Sequence, residues 1–365
     1  MHGPADSRIY LQPLAMLRGL SASRAVKAGQ ALWLAGGPLA FTIIKIIFRE
    51  GGSRQGERLV PVGGLASAIA DLSGPGQTEI SGLLRRISAV RPALACAGRV
   101  VSKWQRPLLQ GIVNVTPDSF SDGYDSPDKA ISHAHQLIGE GADIIDIGGE
   151  STRPGAEKIS VRQELDRVLP VIEGLADSAV PLSIDSRNAE VMAEALKAGA
   201  SIVNDVTALT HDKDSLDIVA RADCPVILMH SLGSPDRMQD RPQYDDVVLD
   251  IYDYLAGRLE ICQNAGIDRD RLIIDPGIGF GKTVAHNMAL IRGLGLFHGL
   301  GVPLLLGASR KSFIGHLTGE KAAASRLGGS LAAGQAGYDR GVQILRVHDV
   351  RQSRQARDMW VASGK

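Results

Sequence analysis

The feature that most constrains the fold is a regular alternation of short apolar runs and helical segments, which starts near residue 107. Each run is followed by a segment with helical spacing, most clearly 243–266, and Gly266 then supplies a C-cap. The apolar face of that helix comprises Val247, Ile251, Tyr254, Leu255, Leu259 and Cys262. The eight runs are 108–114, 142–148, 181–185, 201–205, 225–229, 271–275, 303–307 and 343–347.

This alternation predicts an α/β fold with parallel strands. Parallel strands that are buried on both faces read as continuous apolar runs. Eight strand–helix units in roughly 255 residues match a (β/α)₈ TIM barrel. A doubly wound open sheet is the alternative, but it usually has fewer strands. It also gives no reason for a polar residue at nearly every strand end.

Residues 1–106 lie outside the pattern and predict a small N-terminal α+β extension of unknown role, before a barrel domain at 107–365. The apolar segment 31–48 predicts a buried β-hairpin rather than a membrane span, because Gly36-Gly37-Pro38 interrupts it and Lys45 lies within it. A Gly/Arg-rich turn is expected after it, at REGGSRQGER. A helix is expected at 77–90, from a stripe formed by Ile80, Leu83, Leu84, Ile87 and Val90.

Composition excludes several classes of function. The formal net charge is zero and the pI is near 7.1, so no electrostatic footprint points to nucleic acid or an anionic membrane. The N-terminus lacks the apolar core of a signal peptide. The three cysteines have no CxxC spacing, which favours free thiols in a reducing cytoplasm. Neither a P-loop nor a GxGxxG motif occurs.

Polar side chains follow almost every predicted strand. In a (β/α)₈ barrel the carboxyl ends of all strands open onto one face, where catalytic groups lie. A single aspartate after a strand is more often a helix N-cap, but eight polar ends on one rim indicate an active site. The rim residues include Asn114, Asp185, Asn204, Asp205, His230, Asp275, Lys311, Arg346 and His348.

These rim residues divide into two chemical groups. Asp185, Asn204 and Asp275 suit a flat heterocycle that bears amino, N–H and carbonyl groups, because a carboxylate accepts two N–H bonds from such an edge. The second group is cationic and predicts a bound anion, expected to be phosphate, since arginine binds it as a fork and lysine as a point charge. This anion pole comprises Arg310, Lys311, Arg346 and His348, with the hydroxyls of Ser309 and Ser312.

Five stretches carry a family resemblance. They are GIVNVTPDSFSDG, DIGGESTRPG, IDPGIGFGK, GASRKSFIG and RVHDV, in that order. Together they resemble the dihydropteroate synthases of the pterin-binding barrel family, over about 107–363. The resemblance implies that 4-aminobenzoate is joined to (7,8-dihydropterin-6-yl)methyl diphosphate, giving 7,8-dihydropteroate and diphosphate for folate biosynthesis. It also implies a homodimer in the cytoplasm.

The resemblance also implies residue roles. Asp185, Asn204, Asp275 and Lys311 would bind the pterin, while Arg346 and His348 would bind the diphosphate. Asn114 would bind Mg²⁺. Thr152 and Arg153 would belong to the second of two substrate-covering loops, the first being VTPDSFSDG. The aminobenzoate slot would be bordered by Phe120, Pro154, Phe280, Lys311 and Ser312. The catalytic set would be Lys311, Asp185, Asp275, Arg346 and His348.

The sequence departs from the family in three places, and two rival functions remain. SLGSP follows Met229-His230, where a Met or Gln before Gly is usual, Ser-Arg follows Asp185, where Thr is common, and the extension is foreign to the minimal enzyme. One rival moves a methyl group from methyltetrahydrofolate to a corrinoid, but it has no diphosphate to expel and so no need for the anion pole. The other is a non-catalytic pterin-binding or scaffold protein on the same fold, which would predict gaps in the site.

Overall fold

The structure is a computed structural model. It describes residues 7–72, 74–96, 99–102, 104–116, 126–151, 158–233 and 242–364. Among the helices of these ranges, none is both long and apolar enough to cross a membrane.

The N-terminal part is a sheet flanked by helices. Its long central strand pairs antiparallel with the first strand on one side, and with the second and fourth strands on the other. Its elements are β1 (Arg8–Arg18), α1 (Gly19–Lys27), β2 (Leu32–Trp33), β3 (Leu39–Glu50), β4 (Ser53–Pro61), α2 (Leu65–Ala70) and α3 (Gly74–Ser88). A second hairpin follows, formed by β5 (Leu94–Cys96) and β6 (Arg99–Ser102).

The predicted hairpin at 31–48 is confirmed as β2 and β3, and the predicted helix at 77–90 is α3, which starts at Gly74. The predicted turn at REGGSRQGER is confirmed only at Gly51 and Gly52. From Ser53 onward the prediction is wrong, because these residues form β4. This strand is almost entirely exposed and rich in charge. Charged residues of this kind protect an edge strand from pairing with other chains, and they hide its period-two pattern.

The rest of the chain forms the predicted (β/α)₈ barrel. Each predicted apolar run is confirmed as one strand. The strands are β7 (Leu108–Asn114), β8 (Ile144–Gly148), β9 (Leu182–Asp185), β10 (Ile202–Asp205), β11 (Val226–Met229), β12 (Leu272–Asp275), β13 (Leu305–Leu306) and β14 (Ile344–Val347). They are parallel and lie in the order β12-β11-β10-β9-β8-β7-β14-β13, and the amide of Ile274 donates to the carbonyl of Pro303 at 3.0 Å where the first and last strands of this order meet.

Helices surround these strands. The helix predicted at 243–266 is α8, where the Asp246 carboxylate accepts the amides of Val248 and Leu249 as an N-cap, and Gly266 follows in a left-handed conformation at φ +89°. The barrel helices are α4 (Pro127–Glu140), α5 (Val161–Gly174), α6 (Ala189–Ala198), α7 (Ser215–Arg221), α8 (Val247–Asn264), α9 (Val284–Gly293), α10 (Ser312–Thr318), α11 (Leu327–Tyr338) and α12 (Val350–Ala362).

The inside of the barrel is apolar at its base. Strand residues such as Ile144, Ile202 and Ile273 form a buried cluster there with Leu94 and Trp104, from the β5–β6 hairpin and the residues after it. The hairpin therefore covers the amino-terminal end of the barrel. The polar side chains lie at the opposite end of the barrel, at the carboxyl ends of the strands.

Candidate active site

Strand register aligns the predicted polar ends. Asn114 pairs with Gly148, Gly148 with Asp185, and Asp185 with Asn204, so one row crosses four neighbouring strands at their carboxyl ends. Residues in register on neighbouring parallel strands project to the same face. The row therefore lies at the barrel mouth, as the sequence predicted.

Arg346, on β14, forms ion pairs with two carboxylates. Its Nε donates to Oδ2 of Asp146 and its Nη2 to Oδ2 of Asp185, both at 2.6 Å. Asp146 is fully buried and also accepts a hydrogen bond from Nδ2 of Asn204 at 3.1 Å. Asp146 therefore orients both the guanidinium and the amide. Sequence reasoning did not select Asp146. The available signal was that the apolar run 142–148 contains a second acid besides Asp143.

Arg346 and two further side chains, Asp275 and Lys311, surround a single point above β13. A methyl group placed on Gly307 would lie 3.7 Å from Oδ2 of Asp275, and 3.8 Å from both Nζ of Lys311 and Cβ of Arg346. Glycine keeps that point open, since any side chain would fill it. The structure thus brings Asp275, Lys311 and Arg346 together around one point, which Asp185 joins through its ion pair with Arg346. We call the space that these four residues border the hollow.

Burial and pairing set the protonation of these groups. Burial raises the pKa of Asp185, and the guanidinium of Arg346 opposes this effect. Burial likewise raises the pKa of Asp275, against the ammonium of Lys311. Burial lowers the pKa of Lys311 to about 8, and Asp275 opposes that change. Each charge therefore depends on its partner for its charged state.

In the glycine-rich loop after β12, the amides of Gly277 and Gly279 already donate to side chains, to Oδ1 of Asp275 and Oδ1 of Asn287, each at 2.7 Å. Side chains also donate to two of its carbonyls: Lys311 to Ile278, and Lys282 to Phe280 at 2.9 Å. The ring of Phe280 lies with its centroid 4.6 Å from Nζ of Lys311, a cation–π distance. The loop is thereby tied to the lysine that borders the hollow.

Lys282 is a buried lysine that sequence reasoning did not select. Besides the Phe280 carbonyl, its Nζ contacts Nδ1 of His230 at 3.0 Å and the carbonyl of His230 at 3.3 Å, so three acceptors match the three donors of an ammonium. Burial lowers the pKa of Lys282 well below its usual value. Burial and the neighbouring Lys282 lower the pKa of His230 to about 3. His230 is therefore a neutral acceptor that anchors the loop to the end of β11.

The structure corrects the predicted separation into two poles. Arg310 pairs with Asp349 through two hydrogen bonds, of 3.0 Å from Nε and 2.6 Å from Nη2. Arg346 lies between two acids rather than opposite them. His348 contacts Oγ of Ser309 with Nδ1 at 3.0 Å. The acidic and basic groups are interleaved, and Arg310 contributes to a rim ion pair.

The remaining predicted residues divide between the rim and the undescribed parts of the chain. Ser312 is exposed at the start of α10, and Phe280 is half-buried beside Lys311. Thr152, Arg153, Phe120 and Pro154 lie outside the described residues.

Asn114 is the one predicted metal ligand. It is half-buried at the end of β7, and its amide oxygen is a donor of the kind that Mg²⁺ accepts. Among the described residues, no group of three or more His, Cys, Asp or Glu side chains could hold a metal by itself. One amide oxygen fits Mg²⁺ only where substrate phosphates and waters supply most of the ligands, which is the usual way this ion binds.

Fold and site define a (β/α)₈ enzyme whose mouth suits a flat hydrogen-bonding heterocycle next to an anionic group. Residues 110–348 match the family described as pterin binding enzymes. A dihydropteroate synthase of Neisseria meningitidis is 49% identical over 276 residues, which cover 73% of this chain and 96% of that relative. The Escherichia coli dihydropteroate synthase is 46% identical over 253 residues, covering 68% of this chain and 89% of the relative. This chain belongs to the pterin-binding enzyme family, among the dihydropteroate synthases.

Solved structures give the same relationship. The Xanthomonas albilineans dihydropteroate synthase with 4-aminobenzoic acid superposes with a TM-score of 0.70 at 48% identity, covering 75% of this chain and 98% of that chain. The same enzyme in complex with 7,8-dihydropteroate superposes with a TM-score of 0.67 at 45% identity, covering 74% of this chain and 98% of that chain. In both cases the shared part is nearly the whole of the solved chain, and about a quarter of the present chain lies beyond it.

Proposed function

We propose that this barrel is a transferase that joins 4-aminobenzoate to (7,8-dihydropterin-6-yl)methyl diphosphate, releasing 7,8-dihydropteroate and diphosphate. The observation that carries the proposal is the hollow in which Asp185, Asp275, Lys311 and Arg346 meet, in a chain whose relatives share this activity. The small-molecule substrates follow from the same relatives, whose structures hold 4-aminobenzoate and dihydropteroate.

In this proposal the pterin lies along the acidic side of the hollow. Its amino and ring N–H groups donate to Asp185 and Asp275, and the amide of Asn204 completes the edge. Lys311 donates to the ring from the other side, and Arg346 lies against its face. The support is that all these groups are already oriented by partners, so little ordering is needed when the substrate binds.

The reaction breaks one bond and forms another. The C–O bond between the pterin methylene and the diphosphate breaks, and the electron pair leaves with the diphosphate. Positive charge on the methylene spreads into the ring, where the carboxylates of Asp185 and Asp275 stabilise it. The amine nitrogen then forms the C–N bond and releases a proton to solvent. An aromatic amine is a competent nucleophile, so no strong general base is required.

The diphosphate gathers negative charge as it leaves. We assign Arg346 and His348 to it, with Ser309 contacting the histidine ring, because preplaced hydrogen-bond donors stabilise such charge without reorganisation. Asn114 would hold Mg²⁺, which supplies further charge neutralisation when bound. Thr152, Arg153, Phe280 and Ser312 are assigned, by resemblance, to binding of the diphosphate and the aminobenzoate.

Two wider assignments belong to the proposal. The three cysteines, Cys96, Cys224 and Cys262, are buried and unpaired, which supports a reducing compartment such as the cytoplasm. We also propose a homodimer, and a division of the chain into an extension at 1–106 and a barrel domain at 107–365. Light scattering of the purified chain measures the first, and limited proteolysis the second.

The test is an assay of diphosphate release. We expect turnover that requires both substrates and Mg²⁺. We also expect Asp185→Asn to weaken binding of the pterin substrate far more than binding of 4-aminobenzoate. Asp143→Asn is the matched control, because Asp143 pairs with Arg106 and Arg357 away from the hollow. Binding of the pterin diphosphate without turnover would favour the scaffold alternative. If Asp185→Asn weakened binding of both substrates equally, the assignment of Asp185 to the pterin would be refuted.

A further inference from the structure

The N-terminal extension contacts one acidic stripe of the barrel. Asp246, Asp250 and Asp253 on α8 are spaced four and three residues apart and so lie on one face of the helix. Arg54 donates to Asp246 with Nη2 at 2.6 Å and Nε at 3.1 Å. Arg49 pairs with Asp250, and its Nη1 donates to Asp253 at 2.9 Å.

The contact is built into the fold rather than lying loosely on the surface. The side chain of Arg49 is only 9% exposed. Tyr10 is 1% exposed, donates its hydroxyl to Asp253 at 2.8 Å, and meets Tyr252 edge to face at 5.3 Å. A buried, hydrogen-bonded arginine of this kind holds one geometry. The extension therefore fixes the position of this helix end.

Two of the three acids also shape the start of the helix. Asp246 is the N-cap, and the other oxygen of its carboxylate binds Arg54. Oδ2 of Asp250 accepts the backbone amides of Asp245 at 2.9 Å and Asp246 at 3.2 Å, while its Oδ1 pairs with Arg49. The two arginines therefore hold the very carboxylates that set the direction of the chain entering α8.

The residue just before this turn reaches the site loop. The hydroxyl of Tyr244 donates to the carbonyl of Gly281 at 2.9 Å, and its ring lies 5.1 Å from that of His286 and 6.0 Å from that of His230. Burial raises the pKa of Tyr244 to about 12, so the hydroxyl keeps its proton and remains a donor. Gly281 lies between Phe280 and Lys282 in the loop that contacts Lys311.

We infer that the extension is a positioning element for the active site, in which Arg49 and Arg54 hold the start of α8 so that Tyr244 fixes the loop carrying Phe280. The inference rests on the proposed function, which places Phe280 at the aminobenzoate slot. The residues that match the pterin-binding enzyme family are 110–348. Arg49 and Arg54 therefore lie outside the part of the chain that matches the family.

The positioning role predicts an effect on one substrate only. In full-length Arg49→Gln/Arg54→Gln, we expect the KM for 4-aminobenzoate to rise at least fivefold, with the KM for the pterin diphosphate within twofold of wild type. Amides of the α8 start and of residues 279–283 should exchange hydrogen faster. A conservative Arg49→Lys variant should recover part of the effect, because it keeps the charge but not the fork.

Arg18→Gln/Arg86→Gln is the matched control. These arginines join the same extension to the barrel at other points, Arg18 to the carbonyl of Trp360 and Arg86 to that of Gly299, each at 2.7 Å. We expect this variant to lose stability while both KM values stay within twofold of wild type. If the first variant fails to fold, Arg54→Gln alone removes the more exposed pair and should raise the same KM at least twofold.

Two results would overturn the inference: an unchanged KM for 4-aminobenzoate, or an equal rise in the control variant. Inactive wild-type protein would instead count against the proposed function. In that case hydrogen exchange still decides the positioning role. Faster exchange at 279–283 in Arg49→Gln/Arg54→Gln but not in the control would support it, and equal exchange in both variants would refute it.

Discussion

Replacing Lys311 by methionine should make the protein more stable and almost inactive. Burial lowers the pKa of Lys311 from 10.5 to about 8. At about 1.4 kcal/mol per pKa unit, the buried ammonium costs roughly 3 kcal/mol at pH 7. Methionine removes this cost and has a similar length. It leaves the Ile278 carbonyl without its donor, at about 1 kcal/mol. The attraction to Asp275 is already included in the shifted pKa of Lys311, so we expect a net gain of about 2 kcal/mol.

Urea unfolding of both proteins at several pH values measures this gain. The folded pKa of Lys311 lies below the unfolded value, so between about pH 8 and 10.5 the unfolded chain binds more protons. Wild-type stability should therefore rise relative to the variant across that interval. The advantage of Lys311→Met is full below pH 8 and lost above 10.5. A variant that is no more stable than wild type at pH 7 would refute the reasoning.

Activity should change in the opposite direction. The ammonium is one of the preplaced charges around the hollow, and removing such a group typically costs about 3 kcal/mol of barrier, or more than 100-fold in kcat/KM. In the wild type, kcat/KM should fall above pH 8, as Lys311 loses its proton. A variant that keeps more than a tenth of wild-type kcat/KM would remove Lys311 from the proposed chemistry.

Two further changes test the side chains that sequence reasoning missed. Asp146→Asn should lower kcat/KM by about 100-fold, because Arg346 loses one of its two carboxylates, whereas Asp143→Asn should leave it within about threefold; equal losses in assays of diphosphate release would contradict this role. Lys282→Met should raise the KM for 4-aminobenzoate about tenfold, corresponding to about 1.4 kcal/mol, because the Phe280 carbonyl loses its donor. An unchanged KM in steady-state assays would show that the loop holds its position without Lys282.

The barrel was predictable because its strands have a simple physical signature. Parallel strands covered on both faces must be apolar throughout, and each of the eight runs is indeed one strand. The barrel topology then forces their carboxyl ends onto one rim. Asp185, Asn204 and Asp275 could be placed there from their positions in the sequence alone.

The pairing of charges on that rim was not predictable in the same way. Arg310 and Lys311 are neighbours, yet only Lys311 borders the hollow. Arg310 has a left-handed backbone at φ +58° and pairs with Asp349. Such a conformation is uncommon for a residue with a side chain, and nothing in the composition of GASRKSFIG signals it. The sequence therefore suggested two adjacent cations facing one anion, which the structure corrects.

Asp146 could not be selected from the sequence for a related reason. It lies within a buried apolar strand, where an acid is costly unless it is paired. Its partners, Arg346 and Asn204, are 200 and 58 positions away. Only the strand order and register bring them together. The acidic stripe on α8 was missed for a similar reason, since its partners lie in the extension, whose fold the periodicity of the barrel does not predict.

The interleaved arrangement explains how so many charges can share one hollow. Two separate poles would leave each buried ion without a partner, at a cost of several kcal/mol per ion. Here Arg346 is held by Asp146 and Asp185, and Lys311 lies across from Asp275. A heterocycle that offers N–H donors can bind Asp185 and Asp275 through their remaining lone pairs without removing the cations. Substrate binding then adds hydrogen bonds to ion pairs that already exist, and the cations stay in place for the charge that develops on the departing diphosphate.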